Sequence, residues 1–173
     1  VKLVPCLRFV LLAKTMSNMN REESGVVMTK TAIEKMQQVL ATADKIALST
    51  AINNQANVKL VNFVWFKNEP DCLYFSSVKG TTGLETYQQA DCALITIPAD
   101  GTPNNPYLRA QHVTITATAK SMRTDLLPRY LETVAHYQAV WDQIGSTLVP
   151  YEIQLHDVLV DPGLGSQRFH LNF

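Results

Sequence analysis

The segment Ser76-Ser-Val-Lys-Gly-Thr-Thr82 carries the side chains of this sequence that are best suited to holding an anion. It supplies four hydroxyls and one ammonium, and it leads from a predicted strand into a predicted helix. The N–H groups and the dipole at a helix N-terminus both favour negative charge. We therefore predict an anion site in this segment. The alternative interpretation is an ordinary polar loop between a strand and a helix.

Residue spacing does not reveal any other reactive site. The four histidines are scattered and lack the spacing of metal ligands, so no metal site is predicted. The acidic residues form no pair suited to acid–base catalysis, and the sequence has no nucleophile elbow, Walker loop or dinucleotide-binding fingerprint. No catalytic residue can be assigned, and any difficult chemistry would have to come from a cofactor.

The composition is that of a single globular domain of 173 residues. The hydrophobic fraction of 46% excludes a disordered chain, and the balance of 15 basic and 15 acidic residues argues against nucleic-acid binding through a broad basic surface. Three cysteines without a close pair indicate reduced thiols in a cytoplasmic protein. The low charged fraction of 17% suggests that a second copy of the chain covers part of the surface.

The N-terminal residues have the pattern of neither a secretory leader nor a membrane span. The apolar run from Phe9 to Ala13 is short, and Pro5 and Arg8 precede it. A leader needs about 7–15 uninterrupted apolar residues, and a membrane-spanning helix needs about 20. We predict an N-terminal arm or extension over residues 1–27, a single domain over residues 28–173 and no association with a membrane.

Hydrophobic periodicity and turn residues predict a chain made mainly of strands. A helix over residues 30–43 begins at a capping box, Thr31 to Glu34. Turns at Asn53-Asn-Gln-Ala56 and Asn68-Glu-Pro-Asp71 separate three strands of an antiparallel meander, at residues 45–50, 58–66 and 72–77.

The remaining elements complete a six-stranded antiparallel barrel with helices at its gaps. A short helix begins at a capping box, Thr82 to Glu85, and ends at Ala90. It is followed by a strand at residues 92–97, a loop at 98–110 and a strand at 111–122. The last elements are a helix capped by Thr124, a strand at 151–160 and a tail at 161–173.

The second strand is apolar on both faces, whereas a half-exposed strand would alternate with polar residues. One face carries Val58, Leu60, Val64 and Phe66, and the other carries Val61, Phe63 and Trp65. Both faces are therefore predicted to be covered, the outer one by a helix, a ligand or a second subunit. We expect a homodimer.

Four segments together resemble the flavin-binding split-barrel family related to pyridoxamine 5′-phosphate oxidase. They are IALST, ANVKLVNFVWF, CLYFSSVKGTTGLETYQQADCALITI and AQHVTITATAKSM, and the resemblance runs from about Met28 to Val160. It implies a six-stranded antiparallel split β-barrel, mainly β with helices, that forms a homodimer and binds flavin mononucleotide (FMN). It also implies an oxidoreductase that acts on a small-molecule substrate.

The resemblance also implies which residues hold the cofactor. In the family, the second and third strands cradle FMN, and a loop that is commonly Gly-Ser-Arg-Lys binds its phosphate. Gly80-Thr81-Thr82-Gly83 occupies that place here, with Thr and Gly at the two basic positions. The implied cofactor-binding residues are Lys59, Leu60, Val61, Asn62, Ser76, Ser77, Lys79, Thr81, Thr82 and, from the partner subunit, Gln111.

The C-terminal tail carries a second implied site. Arg168-Phe-His170 is similar to the Arg-x-His pair that binds the substrate in pyridoxamine phosphate oxidases, although the neighbouring Trp-Gly-Gly and Arg of those enzymes are absent. Arg168 and His170 are therefore candidate substrate ligands. A tail that packs on the barrel is the alternative.

Two other functions are compatible with such a barrel, because one fold hosts several functions. The first is a non-enzymatic flavin- or haem-binding module, for which His112 or His170 would be the axial ligand. The second is a deazaflavin-dependent reductase.

Overall fold

A computed structural model describes residues 30–81, 83–99, 101–102 and 104–173. The chain divides into two units, of which the second, residues 35–173, is compact. The arm predicted for residues 1–27 lies outside the described residues. Among the described residues, no helix is both long enough and apolar enough to cross a membrane.

The second unit is built on one antiparallel sheet. Its nine described strands are β1 (Ala43–Ile52), β2 (Gln55–Trp65), β3 (Cys72–Val78), β4 (Asp91–Pro98), β5 (Tyr107–Gln111), β6 (Thr114–Ala117), β7 (Leu148–Gln154), β8 (Asp157–Asp161) and β9 (Phe169–Asn172). The spatial order is β6-β7-β3-β2-β1-β4-β5-β8-β9, and the sheet curls into a half-barrel. The mainly-β prediction and the β1–β2–β3 meander are confirmed, whereas the predicted count of six strands is wrong.

Part of the difference in strand number comes from β5, which lies in a segment that the sequence predicts as a loop. Proline, glycine and asparagine dominate residues 98–106, but Tyr107–Gln111 then alternates between buried and exposed residues, with Leu108 and Ala110 inside. The predicted strand at residues 111–122 is interrupted at His112, whose φ of +53° is incompatible with extended backbone. The chain therefore turns between β5 and β6, and the two strands pair with different neighbours.

The C-terminal region also divides into more strands than predicted. The predicted strand at residues 151–160 is split into β7 and β8, which pair with β3 and β5 respectively. The tail, predicted as extended, adds β9 to the edge of the sheet beside β8.

Helical segments connect the strands. Residues 30–40 form α1, followed by α2 (Leu84–Gln89), α3 (Leu127–Thr133) and α4 (Tyr137–Ile144), with a π-helical turn at Met122–Leu126 and a 3-10 turn at Gly145–Thr147. Ser121, not Thr124, caps the π-helical turn: its hydroxyl accepts from the Thr124 N–H, while the Asp125 carboxylate accepts from the Ser121 N–H. The helix predicted from Thr124 is broken at His136, whose φ is +62°.

The inner face of the sheet carries the main core. Cross-strand register aligns Leu48 with Leu94 and Phe63 with Phe75. These four side chains are at most 2% exposed. Burial of this continuous apolar face is the main force holding the half-barrel together.

The outer face is covered over only part of its area. A second cluster joins Val64 and Tyr74 of the sheet to Leu126, Tyr130 and other residues of the helical region. The predicted two-sided burial of β2 is therefore confirmed for its C-terminal half. Its N-terminal half is exposed on the outer face, where Val58 and Leu60 are 62% and 63% exposed.

Candidate functional site

A cavity of about 270 Å³ lies between the β1–β2 hairpin and α2. Hairpin register places Leu48 opposite Lys59 and Thr50 opposite Asn57, so these four side chains share one face of the sheet. The described lining consists of Leu48, Thr50, Asn57, Lys59, Thr81, Gly83, Thr86 and Tyr87. One ammonium, three hydroxyls, an amide and a phenol thus surround a small space, a set of groups that suits a phosphate.

Lys59 is the cation of this described lining. Its ammonium donates a hydrogen bond to the Tyr87 phenol oxygen, and Nζ lies 4.8 Å from the centroid of the Tyr87 ring. Partial burial lowers the pKa of Lys59, against an opposing effect of the Cys92 thiol. The charge is thus placed where water screens it less than on an open surface, which strengthens its attraction for an anion.

Tyr87 is held by an aromatic cluster. Its side chain is 2% exposed and meets Phe75 and Tyr151 edge to face, at centroid distances of 5.7 and 5.5 Å. Phe75 and Tyr151 stack on each other at 5.3 Å. The phenol that contacts Lys59 therefore belongs to the rigid core.

The predicted anion loop forms a tight turn next to the cavity. The Thr81 N–H donates to the Val78 carbonyl, and Gly80 has a φ of +86° at the third position of the turn, where type II turns favour glycine. The Thr81 hydroxyl also donates to the Val78 carbonyl at 2.7 Å and lies 2.9 Å from the Ser77 hydroxyl. The loop's hydroxyls thus hold the turn together, and Thr81 also lines the cavity.

The helix that follows this loop is short. α2 has six residues, and its N-cap is Gly83, which makes no side-chain capping bond. Thr82, predicted both as a cap and as a phosphate ligand, lies outside the described residues. Lys59 is therefore the main source of positive charge that the described cavity offers.

The other predicted cofactor residues that the structure describes do not line this cavity. Val61 is on the inner face of β2, whereas Leu60 and Asn62 are on the outer face, where the Asn62 amide donates to the Asp44 carbonyl. The Ser76 hydroxyl lies 3.4 Å from the hydroxyl of Tyr137, which belongs to the second hydrophobic cluster. Lys79 and Gln111 are exposed. The roles assigned to these residues stay predictions.

Arg168 and His170 lie near the edge formed by β8 and β9. The Arg168 guanidinium donates to Asp161, and both line an open cavity of about 640 Å³. The Gly163 N–H and the Arg168 guanidinium lower the pKa of Asp161 against the opposing effect of burial. His170 Nδ1 lies 3.1 Å from Asp157. Substrate binding by Arg168 and His170 stays a prediction.

Four polar residues of the described cavity lining were not predicted from the sequence: Thr50, Asn57, Thr86 and Tyr87. The hairpin register could have found Thr50 and Asn57, because they face the same side as Lys59. No local pattern marks Tyr87, because its contact with Lys59 joins positions 28 residues apart.

An apolar patch lies on the outer face of the sheet. Val58 and Leu60 of β2 lie beside Ala47 and Ser49 of β1, and Ile95 of β4 continues the surface with 37% exposure. We call Val58, Leu60 and Ile95 the outer patch. Contiguous apolar surface of this kind marks interaction sites in soluble proteins.

The curled antiparallel sheet, with a polar cavity beside its first hairpin, defines the class of half-barrel proteins of mainly β structure. The family model described as "Pyridoxamine 5'-phosphate oxidase-like" matches residues 39–167. The chain therefore belongs to the pyridoxamine 5′-phosphate oxidase-like family. A sequence comparison with curated proteins finds no match.

Solved structures share this fold at low sequence identity. A heme binding protein from Mycobacterium smegmatis is 10% identical, with a TM-score of 0.61 over 82% of this chain and 57% of that one. ChuZ from Campylobacter jejuni is 8% identical, with a TM-score of 0.60 over 83% and 60%. General Stress Protein 26 from Bacillus anthracis is 10% identical, with a TM-score of 0.55 over 82% and 98%. The chain thus spans about three fifths of the first two proteins.

Proposed function

We propose that this protein is a homodimeric FMN-dependent oxidoreductase acting on a small-molecule substrate. The observation that carries the proposal is the Lys59 ammonium in a cavity with the hydroxyls of Thr50, Thr81 and Thr86. Charge-assisted hydrogen bonds from an ammonium and neutral ones from hydroxyls together suit a phosphate dianion. Membership of the pyridoxamine 5′-phosphate oxidase-like family supports the same cofactor.

The cavity fits one end of FMN. Its volume of about 270 Å³ is near the lower end of the range for small-molecule sites, roughly 300–1,000 Å³. Lys59, the Thr50 and Thr86 hydroxyls and the Asn57 amide would hold the phosphate, because the Thr81 hydroxyl already donates to the Val78 carbonyl. The flavin ring would then lie outside this cavity, and FMN would supply two-electron chemistry when bound. The chain's own residues would bind and orient it and would exclude water from its phosphate.

The outer patch supports the homodimer. A second copy would cover Leu60 and Val58, which are otherwise the most exposed apolar side chains of the sheet. The patch lies on the strand that carries Lys59, on the face of the sheet opposite the cavity.

A cytoplasmic location completes the proposal. Cys72 and Cys92 are buried free thiols rather than a disulfide pair. Reduced cysteines are typical of the cytoplasm.

A second candidate function is haem binding, and a specific arrangement favours it. His112 Nδ1 lies 2.9 Å from Asp91 Oδ1, and His170 Nδ1 lies 3.1 Å from Asp157 Oδ1. A carboxylate at Nδ1 leaves Nε2 as the ligand nitrogen, the arrangement that metal-binding histidines commonly have. The similar fold of a protein named as heme binding is consistent with this candidate.

One experiment separates these functions. The absorption spectrum of the purified protein shows flavin bands if flavin is bound and a strong Soret band if haem is bound. Apo-protein is then titrated with FMN, with riboflavin, which lacks the phosphate, and with a deazaflavin. We expect FMN to bind much more tightly than riboflavin, and Lys59→Gln to reduce that preference.

The matched control is Lys45→Gln in the same hairpin. Lys45 lies on the outer side of β1 and pairs with Asp44, outside the described cavity lining. Equal affinity of the wild type for FMN and riboflavin would show that the cavity binds no phosphate. A Soret band without flavin bands would favour the haem candidate.

A further inference from the structure

We propose that Tyr87 is a positioning residue that holds the Lys59 ammonium in place for the phosphate of the ligand. The inference rests on the proposed FMN function and names a residue that determines the preference for a phosphorylated flavin. Tyr87 lines the same cavity as Lys59 and accepts its hydrogen bond.

The direction of this hydrogen bond follows from the chemistry of the two groups. A lysine ammonium has three donors and no acceptor, so the Tyr87 oxygen must be the acceptor. A phenol oxygen is neutral, so it orients the ammonium without cancelling its charge, as a carboxylate would.

The support behind Tyr87 makes it suited to this role. Lysine has a long flexible side chain, and ordering it on binding opposes affinity. Tyr87 is only 2% exposed, and it packs against both Phe75 and Tyr151. A lysine held by a fixed phenol is ordered before the ligand arrives, so less entropy is lost on binding.

The ring and the hydroxyl of Tyr87 make separate contributions. The ring packs in the aromatic cluster, with its centroid 4.8 Å from the Lys59 Nζ, and the oxygen accepts the hydrogen bond. Tyr87→Phe removes only the second contribution and leaves the aromatic packing in place. This substitution therefore tests the positioning role with little change to the core.

The experiment measures FMN and riboflavin affinities by fluorescence quenching for the wild type, Tyr87→Phe, Lys59→Gln and the double variant. Loss of one hydrogen bond predicts FMN affinity about fivefold to tenfold weaker in Tyr87→Phe, with riboflavin affinity within about twofold of wild type. In the Lys59→Gln background, Tyr87→Phe should have no further effect on FMN affinity, because the two residues act together.

The matched control is Tyr137→Phe. Tyr137 begins α4, is 3% exposed and belongs to the second hydrophobic cluster, outside the described cavity lining. Tyr137→Phe should leave the FMN and riboflavin affinities within about twofold of wild type, since the hydroxyl that it removes does not line the described cavity. Thermal unfolding of each apo-protein shows that the variants are folded.

Several outcomes would overturn the role of Tyr87. They are unchanged FMN affinity in Tyr87→Phe, equal losses for FMN and riboflavin, or independent effects of the Tyr87 and Lys59 variants. If Tyr87→Phe fails to fold, a ring-fluorinated tyrosine at position 87 keeps the shape and weakens the acceptor, and it should reduce the FMN preference. A wild type that does not prefer FMN to riboflavin would instead contradict the proposed function itself.

Discussion

Lys59 and Leu60 are neighbours in the chain and project from opposite faces of β2. Lys59 contacts Tyr87 in the cavity, whereas Leu60 is 63% exposed on the outer face. The alternation of side chains along a strand makes this unavoidable. One strand thus carries both the proposed phosphate ligand and the proposed subunit contact, and the two can be tested separately.

The outer patch predicts a dimer that a single charge can disrupt. Wild-type protein should have about twice the chain mass of 19.3 kDa by light scattering. Leu60→Asp should shift it towards the monomer, because an unpaired carboxylate would be buried in the contact. Leu164→Asp is the control, since Leu164 is 81% exposed in a loop away from the patch. A monomeric wild type at micromolar concentration would exclude the dimer.

The two lysines assigned to the phosphate should differ in effect. Lys59→Gln should weaken FMN binding by about 10- to 100-fold, because it removes a charge-assisted hydrogen bond in a partly buried cavity. Lys79→Ala should have a smaller effect, since Lys79 is exposed and water screens its charge. The titration with FMN measures both. A larger loss in Lys79→Ala would place the phosphate at the loop and not in the cavity.

Glu69 should make stability depend on pH in the acidic range. Burial alone would raise the pKa of Glu69, but hydrogen bonds from Lys120 and Tyr74, at 2.8 and 2.7 Å, outweigh it and lower the pKa. A carboxyl whose pKa is lowered in the folded state stabilises the protein at pH values above its unfolded-state pKa of about 4.3. This contribution is lost as the pH falls through the folded-state pKa.

Urea unfolding at pH 7 and at about pH 3 tests this linkage. Relative to wild type, Glu69→Gln should lower the free energy of unfolding more at pH 7 than at the acidic pH. Glu85→Gln, at an exposed position of α2, is the control. An equal difference between Glu69→Gln and wild type at both pH values would contradict the assignment.

The described thiols should be unreactive in the folded protein. Burial, helped by the charges of Asp71 and Glu152, raises the pKa of Cys72 to about 12. Cys92 is 1% exposed. In a Cys6→Ser variant, a disulfide reagent at pH 8 should label neither thiol until denaturant is added, because the thiolate is the reacting species. Rapid labelling of either thiol without unfolding would show that it is accessible.

Removal of residues 1–27 should leave the sheet folded. All nine described strands lie between Ala43 and Asn172, and their core residues pack on one another. The chain beginning at Met28 should therefore unfold cooperatively, as a single domain does. Loss of the cooperative transition, measured by circular dichroism against the full chain, would assign the N-terminal residues to the core.

Local patterns in the sequence determined the first three strands and the turn between the first two. Apolar runs bounded by turn residues predicted β1 to β3, and Asn53 and Asn54 adopt the positive φ values, 50° and 60°, that asparagine tolerates. Lys59 and Thr81, both predicted as cofactor-binding residues, line one cavity. These features depend on neighbours within a strand or a turn, so the order of residues is enough to reveal them.

Long-range pairing determined the rest. The breaks at His112 and His136 follow no turn motif in the sequence, and they set the strand count and the helix boundaries. The contact between Lys59 and Tyr87 exists only because β2 and α2 meet across the cavity. Whether an apolar side chain is covered is decided in the same way: the helical region packs over Val64 and stops short of Leu60. Burial is a property of what folds against a residue, and a strand's own sequence does not contain that information.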